Sequence, residues 1–116
     1  AGNPTPICTA PTATASGACV TLDAKNLCNP ITTEGCTGAG VACDANDQGG
    51  FECFPAPNTQ TLCMACGESA GRCAAGFHCA LGQCARYCCD DSECGAGTCD
   101  KAYFEGGRPA GVCVGK

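Results

Sequence analysis

A chain of 116 residues with 16 cysteines and no tryptophan is long enough for one ordinary domain or two very small ones. It contains 14 Leu, Ile, Val and Phe residues, about 12% of the chain, too few for apolar burial alone to offset the entropy lost on folding. The net charge of −5 and the scattered positions of the six basic residues argue against nucleic acid or an anionic membrane as a partner.

The cysteines are the other source of stability, and their even number predicts up to eight disulfides. Because disulfides persist in oxidising compartments, we expect an extracellular protein, secreted or displayed at the cell surface. No apolar run approaches 18 residues, so membrane insertion is not expected. No signal peptide is visible, and we interpret the start at Ala1 as that of a mature form. The predicted disulfide cysteines are Cys8, Cys19, Cys28, Cys36, Cys43, Cys53, Cys63, Cys66, Cys73, Cys79, Cys84, Cys88, Cys89, Cys94, Cys99 and Cys113.

Residues 1–18 are rich in Pro, Thr and Ala and predict an extended N-terminal tail. Ile7 is its one large apolar residue, so packing against its own chain would contribute little. We therefore expect the tail to dock on a neighbouring copy, and the candidate assembly residues are Pro4, Pro6, Ile7 and Pro11.

Residues 19–62 form a predicted lobe in which cysteines are sparse, and the proline-rich stretch 54–59 is a plausible joint at its end. Within this lobe, Asp44, Asn46 and Asp47 partly resemble a calcium-binding loop. An EF-hand has Asp or Asn at its fifth position and Glu at its twelfth, and here those positions hold Gln48 and Pro55, which excludes that motif. A turn capped by side-chain oxygens is the alternative, and a looser cation site remains open.

Residues 63–116 form a second predicted lobe in which cysteines are dense, although the two lobes could be one continuous domain. Gly-x-Cys recurs here and predicts turns followed by short extended segments, hence β-hairpins, with a single helical turn near 87–93. Cys63 and Cys66 form the sole Cys-x-x-Cys, and without a second such pair we expect disulfides and no metal. His78, the sole histidine, is expected to be exposed in a loop. Asp90, Asp91 and Glu93 are either a solvated acidic loop or a cation site.

Adjacent Cys88 and Cys89 are expected to pair with two different partners. The cysteine spacing over residues 79–99 resembles that of the inhibitor cystine-knot, or knottin, family. The resemblance implies the bridges Cys79–Cys89, Cys84–Cys94 and Cys88–Cys99.

The fold class predicted is therefore a small disulfide-rich protein with irregular loops, short β-hairpins and little helix. For function, we expect a secreted structural protein, such as a self-assembling filament or matrix subunit whose partners are copies of itself. The alternative is a small extracellular binding module, an inhibitor or toxin-like effector, with Tyr103, Phe104 and Arg108 presented between Cys99 and Cys113. No catalytic residue, cofactor, metal or small-molecule substrate is predicted.

Overall fold

The computed structural model describes residues 17–67, 69–80, 82–95, 97–104 and 108–115. Across these ranges it contains short strands, one 3-10 turn and no α-helix, which confirms the predicted fold class. The strands are β1 (Ala42–Ala45), β2 (Phe51–Phe54), β3 (Phe77–Ala80), β4 (Gln83–Cys88), β5 (Thr98–Asp100) and β6 (Gly111–Val114), and the turn is Asp91–Cys94.

The pairs among these six strands are all antiparallel. Strands β1 and β2 form a two-stranded sheet, and the other four form a sheet in the order β3-β4-β6-β5. Strand β3 therefore lies at one edge of the larger sheet. The helical turn expected near 87–93 begins later than predicted, because β4 continues through Cys88.

Most of the bridges repeat one pattern. Three four-cysteine units follow one another along the chain, and in each unit the first cysteine bonds to the third and the second to the fourth. The third and fourth cysteines are also direct cross-strand neighbours in the hairpins β1–β2, β3–β4 and β5–β6. The units are Cys28, Cys36, Cys43 and Cys53; Cys66, Cys73, Cys79 and Cys84; and Cys88, Cys94, Cys99 and Cys113.

Cys88 and Cys89 bond to different partners, as predicted. Cys88–Cys99 is also one of the bridges that the knottin spacing implied. The implied bridges Cys79–Cys89 and Cys84–Cys94 are wrong. Those four cysteines are engaged elsewhere, in Cys66–Cys79, Cys73–Cys84, Cys19–Cys89 and Cys94–Cys113. The register of β3 against β4 brings Cys79 opposite Cys84, and each of them bonds to a cysteine that precedes β3.

No described cysteine is free, and Cys63 is disulfide-bonded as well. Cys8 lies outside the described residues, as do the candidate assembly residues Pro4, Pro6, Ile7 and Pro11. The predicted disulfide framework is therefore confirmed for the cysteines that the structure describes.

The core lies between the two sheets, where Phe51 from β2 packs against Tyr87 from β4 and against Phe104. The ring centroids of Phe51 and Tyr87 are 5.8 Å apart, with an edge-to-face geometry. The core and the Cys19–Cys89 bridge both connect residues from the two sides of position 62. The boundaries of the two lobes stay a prediction. Among the described residues, no helix is long and apolar enough to cross a membrane.

Candidate functional site

A groove with a volume of about 330 Å³ opens beside strands β1 and β3. We call it the Arg72 groove. The second four-cysteine unit forms one of its walls, because both Cys73 and Cys79 line it and each is cross-linked. A wall held by two neighbouring disulfides is a rigid frame for binding. The described residues that line the groove are Asp44, Gly67, Gly71, Arg72, Cys73 and Cys79.

Arg72 is the basic group of this groove, and its side chain is held from two directions. Its Nε donates to Asn58 Oδ1 at 3.0 Å, and its guanidinium carbon lies 4.0 Å from the ring centroid of Phe54. Main-chain hydrogen bonds fix the same residue, since the N–H groups of Thr59 and Gln60 both donate to its carbonyl oxygen. The side chain is nevertheless 45% exposed. Its orientation is thus set in advance while part of its charge faces solvent.

Asp44 is the acidic group of the groove, and its side chain is only 15% exposed. Its Oδ1 accepts a hydrogen bond from the Tyr87 hydroxyl and lies 2.7 Å from His78 Nδ1. Its Oδ2 lies 3.8 Å from Arg72 Nη2, a long and partly exposed ion pair that contributes little stability. The close contacts of Asp44 are therefore with the interior residues Tyr87 and His78, whereas part of the Arg72 side chain is exposed in the groove.

The polar network below the groove centres on Tyr87, which is fully buried. Burial raises the pKa of Tyr87 well above its ordinary value of 10.0, and the negative charge of Asp44 raises it further. The Tyr87 hydroxyl also accepts a hydrogen bond from the Ala45 N–H at 3.0 Å. Tyr87 consequently stays protonated at neutral pH and acts as a hydrogen-bond donor to Asp44.

His78 does not lie in an exposed loop, so that expectation was wrong. It lies in β3 with its side chain 19% exposed, and its ring contacts those of Tyr87, Tyr103 and Phe104. The sequence alone did not reveal this, because the partner that orients the ring, Asp44, lies 34 residues away.

Tyr103, Phe104 and Arg108, which lie between Cys99 and Cys113, contact other parts of the chain instead of being presented on the surface. Phe104 is 7% exposed and belongs to the core, and Tyr103 is half-buried. The Arg108 guanidinium lies 5.0 Å from the Phe104 ring centroid and donates to the carbonyl oxygen of Asn46 at 2.8 Å. The contact surface expected from these three residues is therefore not formed in this way.

The acidic loop over residues 44–48 binds groups of its own chain. Asp44 serves the network just described, and Asn46 Oδ1 accepts from the N–H groups of Gln48 and Gly50, both at 3.0 Å. This is the side-chain-capped turn that the sequence offered as the alternative. Asp47 is exposed in the same turn.

The carboxylates of the second acidic cluster, at residues 90–93, also accept hydrogen bonds from groups of their own chain. Asp90 Oδ1 accepts from the Ser92 N–H at 3.0 Å, and Asp91 Oδ1 accepts from the Cys99 N–H at 2.8 Å. Glu93 is buried and accepts from the Cys89 N–H at 2.7 Å. Each of these carboxylates thus satisfies a main-chain donor of its own chain.

Within the described part of the chain, three sets of cysteine sulfurs lie close enough together to suggest metal ligands. Each set belongs to one four-cysteine unit, and every sulfur in it is already bonded in a disulfide. Cys66 of the Cys-x-x-Cys pair bonds to Cys79, as expected of a structural cysteine. In the oxidised protein, these sulfurs therefore lie close together because neighbouring disulfides are adjacent.

Sequence reasoning missed the Arg72 groove. Its basic residue and the two groups that hold it, Asn58 and Phe54, lie 14 and 18 residues apart in sequence and share no motif. The one sequence motif near Arg72 is the Gly71-x-Cys73 turn, which predicts a bend in the chain and does not indicate a ligand-binding residue. Comparison of the chain with protein-family models, with curated proteins and with solved structures finds no match.

Proposed function

We propose that this chain is a small extracellular binding module that holds its ligand in the Arg72 groove. The observation that carries the proposal is a half-exposed guanidinium fixed by Asn58 and Phe54 in a groove framed by disulfides. Preorganised polar groups in a concave site are typical of ligand recognition. The many disulfides suggest an oxidising, extracellular environment, and we propose that the chain reaches it by secretion.

The polar network beneath the groove supports binding and not catalysis. Asp44 and His78 are paired as in a general-base arrangement, but the hydroxyl beside them belongs to Tyr87, which is buried. Burial raises the pKa of this phenol, so the group is not activated as a nucleophile. We therefore propose that Asp44, His78 and Tyr87 stabilise the floor of the groove.

Nuclear magnetic resonance of the ¹⁵N-labelled, oxidised protein tests the binding proposal. We expect a library of small polar fragments to shift the amide resonances of Asp44, Gly67, Arg72 and Cys79 together. Shifts confined to other surfaces, or no shift with any fragment, would contradict the proposal.

The structural role expected from the sequence depends on residues 1–18, of which the structure describes only 17 and 18. Light scattering separates the two functions, because a binding module stays near the 11.4 kDa of one chain whereas a filament subunit polymerises. If the chain polymerises, deletion of residues 1–7 is the matched test, since it spares Cys8. Loss of assembly with retained folding would then favour the structural role.

A further inference from the structure

Strand β3 contributes Cys79 to the lining of the Arg72 groove, and the direction of its main-chain groups points to a class of ligand. Tyr87 N–H donates to the Gly76 carbonyl, so hydrogen-bonded pairs between β3 and β4 fall at Gly76–Tyr87 and His78–Ala85. Because main-chain groups alternate along a strand, the N–H and C=O of Cys79 point away from β4. Its cross-strand neighbour Cys84 shows the same alternation, since its N–H and C=O bond outward to Met64 and Cys63.

Strand β3 is an edge strand, and Cys79 lines the groove. Among the residues that the structure describes, no backbone group bonds to the N–H or C=O of Cys79 on that side. An unpaired donor and acceptor on an edge strand form a template for one more extended segment. The groove thus offers main-chain pairing at β3.

Besides the main chain of Cys79, the guanidinium of Arg72 is available to bind a ligand in this groove. Its Nε is occupied by Asn58 and one face of its guanidinium by Phe54, which leaves the two terminal nitrogens to serve the groove. Among the described residues, Nη2 contacts Asp44 Oδ2 at the long distance of 3.8 Å. The fork of two parallel N–H donors matches the two oxygens of a carboxylate.

We infer that the Arg72 groove binds a short extended peptide, whose main chain pairs with Cys79 and whose carboxylate binds Arg72. The inference rests on the proposed function and names its ligand. A volume of about 330 Å³ suits the end of a peptide rather than a folded domain. The carboxylate comes either from a peptide C-terminus or from an acidic side chain, and the two sources share the same chemistry.

Titration of the native, oxidised chain with minimal peptides tests the inference by resonance shifts at Cys79 and Arg72. The probes are N-acetyl-trialanine with a free carboxylate, its C-terminal amide, the free acid N-methylated at its central residue, and N-acetyl-Ala-Glu-Ala-amide. We expect the trialanine amide to bind at least tenfold more weakly than the free acid. We also expect N-methylation to weaken binding at least fivefold, because it removes one main-chain donor.

The two carboxylate-bearing probes identify the source of the carboxylate. Preference for the trialanine acid assigns a C-terminus, preference for the glutamyl peptide assigns an acidic side chain, and either result supports the inference. If neither carboxylate-bearing probe binds more tightly than the trialanine amide, or if the N-methylated acid binds as tightly as the unmethylated acid, the inference is overturned. Acetate that binds as tightly as the peptides would overturn it too, because it shows an anion site without strand pairing.

Variants provide the second measurement. We expect Arg72→Gln to reduce affinity for the carboxylate peptides at least tenfold, Arg72→Lys to reduce it less, and Lys101→Gln, an exposed charge control, to leave it unchanged. Because Arg72 also packs on Phe54, thermal unfolding of each variant accompanies the titration. The peptide analogues test the inference without changing the protein.

The two proposals fail separately. If polar fragments bind the groove and no peptide does, the inference fails while the proposed function stands. If nothing binds, both fail.

Discussion

Asp44 connects three strands through one side chain. It lies on β1, receives a hydrogen bond from Tyr87 on β4 and contacts His78 on β3. The sequence left open a loose cation site at Asp44, Asn46 and Asp47, beside a turn capped by side-chain oxygens. Tyr87 is 43 residues away, so no local pattern could reveal that the carboxylate instead faces the core.

We expect Tyr87→Phe to lower the free energy of unfolding by about 1–3 kcal/mol, because the partly buried Asp44 carboxylate loses a donor. Urea unfolding at pH 7 measures the change. Tyr103→Phe is a matched control, since its ring is less buried and its hydroxyl is not part of the Asp44 network. Equal stability of the Tyr87→Phe variant and the parent would show that the network does not stabilise the fold.

The raised pKa of Tyr87 also predicts a pH dependence. A folded-state pKa above the unfolded value means that the contribution is fully present below about pH 10 and is lost as pH rises through the folded-state pKa. We expect stability to fall at alkaline pH in the parent and to fall less in Tyr87→Phe. Short incubations of the oxidised protein measure this, with absorbance of tyrosinate as the titration signal. Identical alkaline curves for both proteins would contradict the assignment.

The hairpins are the elements that the sequence predicted best. The Gly-x-Cys motif indicated turns followed by extended segments, and Gly71 and Gly82 have φ angles of 103° and 84°, which glycine adopts without strain. The exact strand bounds were not predictable, because β4 continues to Cys88 through pairing with β6, a contact between segments distant in sequence.

The hairpin β1–β2 has one position where any side chain would collide with a neighbour. A Cβ on Gly50 would lie 2.0 Å from the carbonyl oxygen of Lys25, so we expect Gly50→Ala to cost about 3 kcal/mol or more. Gly49→Ala is the control: its Cβ meets open space, and its φ of 89° leaves only strain of about 1–2 kcal/mol. Denaturant unfolding compares the two. A smaller loss for Gly50→Ala than for Gly49→Ala would show that the Lys25 segment moves aside freely.

At the scale of the whole molecule, the sequence indicated that disulfides hold the fold but not which cysteines pair. Six cysteines alone allow 15 pairings. The repeated pattern within each four-cysteine unit becomes visible only when hairpins bring the third and fourth cysteines opposite each other. Loop lengths between these cysteines differ from unit to unit, which hides the repeat in the sequence.

We expect full reduction and alkylation to abolish the fold, because the large apolar residues are too few to stabilise it alone. Circular dichroism should show no cooperative thermal transition, and amide protons should exchange as in an unfolded chain. The oxidised protein, carried through the same steps without reductant, is the control. A surviving cooperative transition would show that the core around Phe51 and Tyr87 is sufficient.

The interlacing of the bridges has a topological consequence for attack by proteases. Every peptide bond between Cys19 and Cys113 is spanned by at least one described disulfide, because Cys19–Cys89, Cys88–Cys99 and Cys94–Cys113 overlap in succession. One cut in this region therefore cannot release a fragment. We expect singly nicked protein to gain the mass of one water without reductant and to separate into two pieces only after reduction. A single cut by a protease would thus leave the two parts of the chain joined as one covalent molecule.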